Sequence, residues 1–296
     1  MRIITNPGTT ALLVLGLLQT PAVLAAQERT PRPPAPGAAP ASVVDFRGQL
    51  GASINNAGAQ LSFDLSRRRP LSRSRHPLLS EAHVGIGGSG AFTPANVRAG
   101  VWLEAAPLSV FVLRVGAEPA YYFGTFDSLT SFDSRRNAFD GDSRRERGGA
   151  VSGTTTRFYV TPTLRLRARR FIGLASADLE WWSSNAAGPF FYEPTRDTLL
   201  DPGGDRLTTV TSAVLYEHPL STGHLTAGIA HSRMRVRGGS LNQIQRLGVV
   251  AIRQFDGRVL SLDRPSVTIN ASRYLDDPFK QGQWTASMAI GFSLHR

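Results

Sequence analysis

Any catalytic reading of this chain starts with its six histidines, each of which needs a partner on the same face to do chemistry. His231 and Ser232 come nearest to a base beside a nucleophile. Adjacent residues on a strand point to opposite faces, so this pair cannot act together unless a bulge intervenes. His83 shares a face with the Glu81 carboxylate, but no serine completes a set there. His218 and His224 flank a turn-like segment that holds too few further ligands for a shared metal. Carboxylates gather in "FDGDSRRE" (Asp140, Asp142) and "TRDTLLDPGGD" (Asp197, Asp201, Asp205). Oxygen ligands of this kind suit calcium, but neither segment has the EF-hand spacing, and Asp-Gly is an ordinary turn former. There is no HExxH, no GxSxG and no phosphate-binding glycine loop. Without cysteine there is also no disulfide, thiol nucleophile, Cys-zinc site or lipoprotein anchor. The expectation is a protein with no catalytic constellation, no metal site and no cofactor.

Charge is the other chemistry on offer. The net charge is +11, yet Lys280 is the only lysine. The arginines are scattered over many segments, with local clusters at 67–69 and 165–170. No basic helix and no aromatics set among base-contacting residues point to a nucleic acid. What the charges do therefore depends on the elements that carry them.

Those elements repeat every two residues. In "QWTASMAIGFSLHR" the apolar residues are Trp284, Ala286, Met288, Ile290, Phe292 and Leu294, with small or polar residues between them. A period of two means a strand with one apolar and one polar face. "GAQLSFDLS", "NVRAGVWLEA", "TTTRFYVTPTLRLRA" and "FIGLASADLEWW" show the same alternation. Weaker versions lie at 46–54, 81–92, 109–122, 207–217, 224–236, 244–255 and 265–275. That makes about twelve strands of roughly 9–14 residues, longer than the soluble mode and long enough to cross a bilayer. The count falls to ten if the register of 45–92 slips, because 67–79 lies where a short turn is required.

The first residues read as a targeting segment. Arg2 precedes the apolar "ALLVLGLLQTPAVLAA", and Val23-Leu24-Ala25 fits a signal-peptidase site. The expected organisation is a signal segment over 1–26, a Pro/Ala-rich linker over 27–44 and one barrel over 45–296.

Connection lengths give an orientation. Long polar stretches at 125–153 and 185–206 alternate with tight turns at 169–170 and "EHPLSTGH". Short periplasmic turns and longer external loops are the habit of membrane barrels. Tyr121, Tyr122, Trp181, Trp182 and Trp284 then fall at the outer strand ends, and Phe111, Phe171 and Phe292 at the inner ends, as two aromatic girdles. With its signal segment, amphipathic strands and a last strand closing on an aromatic, the chain resembles Gram-negative outer-membrane β-barrel proteins over about 45–296. The resemblance implies an all-β, antiparallel transmembrane barrel in the cell outer membrane after signal cleavage. Its implied partners are outer-membrane lipid and the barrel assembly machinery, which reads the C-terminal strand. In that class the terminal residue is usually Phe; here Phe292 is followed by Ser293-Leu294-His295-Arg296.

If the apolar parity faces lipid, the other parity lines the lumen. That places Arg98, Glu104, Arg114, Glu118, Arg157, Arg165, Arg167, Asp178, Glu180 and Arg246 inside. Rings of arginine favour anions, so the leading expectation is a narrow pore or solute channel, with small anionic solutes as partners. The alternatives are a structural or interaction barrel whose lumen is plugged and whose loops bind an external partner, and, less favoured, a barrel-embedded lipid hydrolase. "PFFYEP" in the second long loop either folds inward as a constriction or rests on the lipid rim.

Overall fold

The structure is a computed structural model that describes residues 42–295 apart from 56–57, 73, 75, 238–242 and 260–261. The expected signal segment and nearly all of the linker lie outside the described residues. The first long strands are β1 (Val43–Ile54), β2 (Gly58–Pro70), β3 (His83–Phe92), β4 (Asn96–Leu108) and β5 (Phe111–Phe123). A short β6 (Ser131–Phe132) and helix α1 (Gly141–Glu146) follow, then β7 (Ser152–Ala168) and β8 (Phe171–Ser184). Two more short strands, β9 (Phe190–Glu193) and β10 (Thr198–Leu200), precede β11 (Asp205–Leu220), β12 (Gly223–Val236) and β13 (Gln243–Phe255). The hairpin β14 (Arg258–Val259) and β15 (Leu262–Asp263) leads to β16 (Ser266–Asp276) and β17 (Trp284–His295).

Twelve of these strands close into one antiparallel barrel, in the order β1-β17-β16-β13-β12-β11-β8-β7-β5-β4-β3-β2. Closure is made by β1 and β17, which pair from Asp45↔His295 to Ile54↔Ala286 and leave no free edge. Twelve is thus the strand number, and the ten-strand alternative fails. The first part of 67–79 is strand rather than turn: β2 continues through Pro70, pairing Pro70 with His83, and only then gives way to a longer connection. Tight turns use residues that enter the left-handed region: Asn55 has φ 53° and Arg169 has φ 55°. Asn does so at little cost.

Alternation puts the apolar residues outside. Val101 is 67% exposed, Val214 64% and Val249 58%, on strands spread around the whole circumference. An exposed apolar belt on that scale has no place in water, and it matches the lipid-facing band of a transmembrane barrel. On this belt, Phe292 lies over Gly48, where a Cβ would come within 2.4 Å of the ring. Among the described residues no helix is long and apolar enough to cross a membrane. One detail of the girdles needs correction. Tyr121, Trp181 and Trp284 face outward, but Tyr122 and Trp182 are buried on the inside. Neighbours on a strand cannot share a face, so each doublet sends one ring to lipid and one to the interior.

Candidate functional site

The two long external connections fold together into a lid over the barrel mouth. β10, β9 and β6 form a three-stranded sheet, with β9 in the middle. α1 is capped by Asp140, whose carboxylate accepts from the Ser143 N–H at 2.9 Å. Period two works here as well. Phe190 and Tyr192 join Phe132, Phe139 and Leu199 in the lid's own core. Phe191 and Leu200 join Leu129 and the inward residues Tyr122, Trp182, Leu207, Met234, Val236, Ile244 and Tyr274 of the barrel wall. "PFFYEP" therefore folds inward.

Polar contacts fasten this lid on opposite sides. On the side of β5 and β8, Glu193 is fully buried and accepts a short hydrogen bond from the Tyr122 hydroxyl. Glu193 also accepts from Thr195 Oγ1 at 2.7 Å and from the Arg196 N–H at 2.5 Å. Arg196 turns down to the wall, donating through Nε to Glu180 at 3.1 Å and through Nη2 to the same carboxylate. Across the mouth, the connection between β16 and β17 contributes Lys280, ion-paired with Asp197, and Phe279, edge-on to Phe139 at 4.7 Å between centroids. The Tyr192 hydroxyl donates to Asp197 at 2.7 Å, and Arg144 lies 4.2 Å over the Tyr192 ring. Burial raises the Asp197 pKa, but the Lys280 ammonium and the bonds from Lys280 and Tyr192 outweigh it, so the carboxyl titrates below its ordinary value. Burial lowers the Lys280 pKa, and Asp197 more than reverses that. Asp277 goes the other way, raised chiefly by burial.

Beneath the lid, the inner wall from β2 to β8 is a chain of paired charges. Glu104 meets Arg114 at 2.7 Å, Arg68 at 3.3 Å and His83 at 3.0 Å. Arg114 also lies 3.7 Å from Asp64 and 4.0 Å over the Trp102 ring. Higher up, Arg98 donates to Gln60 at 2.8 Å and stands 3.6 Å from Glu118. Arg157 bridges Glu118 at 3.3 Å and Glu180 at 2.9 Å. Asp178 accepts from Thr161 at 2.6 Å. Toward the periplasmic end, Arg165 approaches Glu81 at 4.0 Å and Arg167 pairs with Glu217 at 2.5 Å. Arg246 points inward, with its guanidinium 5.6 Å over the Tyr274 ring.

The opposite inner wall is different, and the parity argument missed it. Ile172, Leu174, Ala213, Leu215, Val250 and Ile252 pack together inside the barrel. The signal was present in "FIGLASADL", where both parities are apolar at the strand's start. The histidines are also more dispersed than their spacing implied. The carboxylate at His83 is Glu104 on the next strand, not Glu81, which offers only its backbone carbonyl at 2.8 Å. His231 faces outward and bonds Gln245 at 2.9 Å, while Ser232 is buried inside. Among the described residues, no three His, Asp or Glu side chains converge as a metal-holding group.

No protein-family profile and no curated protein sequence matches the chain. Solved structures similar to it include the KdgM porin, at 10% identity over 85% of this chain and 99% of that one, with a TM-score of 0.38. The NanC porin is similar at 11% identity over 86% and 99% of the two chains, with a TM-score of 0.40. The translocator domain of the autotransporter NalP from Neisseria meningitidis is similar at 10% identity over 88% and 90%, with a TM-score of 0.41. Likeness at this level assigns no activity.

Proposed function

We propose that the protein is a narrow outer-membrane channel held shut at its external mouth by the folded lid. The observation that carries this reading is the buried latch in which Arg196 and Glu193 of the lid engage Glu180 and Tyr122 of the wall. A loop that merely overhung the mouth would keep its charges in water. Placing them inside makes sense where closure must be firm yet reversible, since each buried partner is re-solvated when the lid lifts. The wall below supports passage of polar solute, because the charged residues of β4, β5 and β7 face the interior. It does not support strong anion preference, because Arg98, Arg114 and Arg157 each stand beside a carboxylate. Hydrolase chemistry finds no support at His83 or His231, whose ring partners are Glu104, a carbonyl and Gln245.

The test is single-channel recording in a planar bilayer under a salt gradient. The full protein is expected to be silent or to open rarely, and replacing residues 125–151 and 186–203, which together form the lid, each by a short Gly-Ser turn is expected to give steady unitary steps. A lid-less barrel that inserts and stays silent would overturn the channel. The second reading, a permanently plugged barrel, would then stand; it is favoured by the inner apolar layer around Ile172 and Leu215.

A further inference from the structure

Arg98, Arg114 and Arg157 on the inside of this barrel are matched by carboxylates; the arginines on the outside of β11 and β12 are not. Arg233 and Arg235 share the outward face of β12, Arg237 follows just past the strand's end, and Arg206 of β11 sits beside Arg237 through the bond from the Arg237 N–H to the Arg206 carbonyl. Arg206, Arg235 and Arg237 are exposed. Arg233 and Arg235 donate to the same neutral acceptor, Gln243 Oε1, at 2.9 and 2.6 Å, and the Gln243 amide is itself turned to Asp276. Arg233 Nε is buried without a hydrogen-bond partner. Among the described residues no ion pair joins any of these four guanidiniums to a carboxylate.

They stand at a definite depth. Lower on the same outward face of β12 come His231 and then Ile229, which is 58% exposed in the apolar belt. Trp181 of the outer girdle pairs directly with Arg206. A groove of about 580 Å³ opens here, lined by Arg135, Trp181, Trp182, Arg206 and Arg237, together with Gly204 and Asp205. Arg135 satisfies Asp205 at 2.6 Å and leaves its Nη1 buried and unpartnered.

We infer that this face binds a phosphate-bearing lipid headgroup of the outer leaflet. The charge excess needs an anion, the position at the upper edge of the apolar belt supplies lipid rather than water, and planar guanidiniums suit phosphate oxygens in pairs. Trp181 lies where an aromatic ring meets the headgroup layer. The acyl chains run down the apolar belt beside Val210 and Ile229.

The test uses the full chain folded in neutral detergent, titrated with diphosphoryl lipid A or with the same lipid stripped of phosphate, and reads lipid retained by native mass spectrometry. The phosphorylated lipid is expected to be retained more tightly by on the order of tenfold or more. The triple variant Arg206→Gln, Arg235→Gln, Arg237→Gln is expected to lose that preference. Arg67→Gln with Arg69→Gln, exposed and outward at the other rim, is expected to keep it. Equal retention of the two lipids, or equal loss in the control variant, overturns the inference. So does displacement of the lipid by excess inorganic phosphate, which marks a free-anion site. If the triple variant does not fold, the two lipids on the unaltered protein still decide.

Discussion

Replacing Arg196 by Met tests the latch at its most buried point. The side chains of Arg196 and Glu180 are 8% and 1% exposed, so solvent screening offers little relief. Breaking a buried pair by removing one partner typically costs about 3–5 kcal/mol. Here the cost is lower, because Glu180 keeps Arg157 at 2.9 Å and the Trp182 Nε1–H at 2.9 Å, and Met removes the desolvated charge of Arg196 itself. About 2–3 kcal/mol remains, which shifts the closed–open equilibrium by roughly 30- to 140-fold. Because the chain has no cysteine, a single introduced thiol reports one position. Leu200→Cys sits where the lid meets the wall, and Leu199→Cys sits in the lid's own core. When opening and closing are fast relative to modification, the labelling rate follows the open population. Arg196→Met should speed labelling at position 200 by the factor above and leave position 199 much less changed, since a lid that moves as a unit keeps its core. Equal acceleration at both positions would mean that the lid unfolds rather than lifts. No acceleration at 200 would mean that Arg196 does not hold it.

Arg114→Met removes the cation shared by Glu104 and Asp64 and should destabilise the barrel by about 3 kcal/mol, read as a lower midpoint in urea unfolding from lipid vesicles. A loss below about 0.5 kcal/mol would show that the wall charges are individually solvated. The latch at Asp197 should depend on pH. Its folded pKa is depressed, so its contribution is present above the ordinary aspartate value of 3.8 and is lost as pH falls through the lower folded value. Lys280 is raised, so its contribution holds below 10.5 and is lost as pH rises through the higher folded value. Asp277, raised by burial, takes up its proton earlier on acidification and partly opposes the acid limb. Opening frequency in the bilayer should be flat from about pH 5 to 9 and rise at both extremes. Asp197→Asn should raise the baseline and remove the acid rise; an acid rise that survives this change would place the titrating group elsewhere.

How much of this was legible depended on whether a physical constraint acts locally. The lipid face was, because every outward position of β7 from Phe158 to Leu166 obeys one solvent, and that solvent writes a period of two. The inward face was not, because it has several neighbours. Ile172 and Leu174 are apolar and nevertheless inward, so composition alone does not tell the two faces of that strand apart. Tyr122 and Trp182 look like girdle residues, but each is the second ring of a doublet. Glu104 and Arg114 both fall on the inner parity, yet only register sets them opposite each other on β4 and β5. The lid was the least legible part. "FFYE" is too short to show a period, and the partners of Glu193 and Arg196 lie 71 and 16 residues away, on strands whose neighbourhood no local pattern encodes.

Two sets of lid contacts differ in kind, and the difference bears on how opening would be felt below. Phe191 and Leu200 rest against Leu207, Met234, Val236 and Ile244 on β11 to β13, where contact is apolar and tolerant of sliding. Glu193 and Arg196 meet β5 and β8, where directional bonds fix one position. A lid held by the first set alone would shift without releasing anything. Held by the second, it cannot lift without separating Arg196 from Glu180, and Glu180 shares Arg157 with Glu118, which in turn faces Arg98. On the proposed reading, lifting the lid leaves Arg157 as the one cation beside Glu180 among these residues, with the Trp182 Nε1–H still donating, and weakens the hold of Arg157 on Glu118. If the protein is the channel proposed above, the step that opens the mouth also rearranges the charged wall, so a variant that loosens Arg157 should change both the frequency of opening and the conductance of the open state. A change in only one of the two would show that the lid and wall are separate devices.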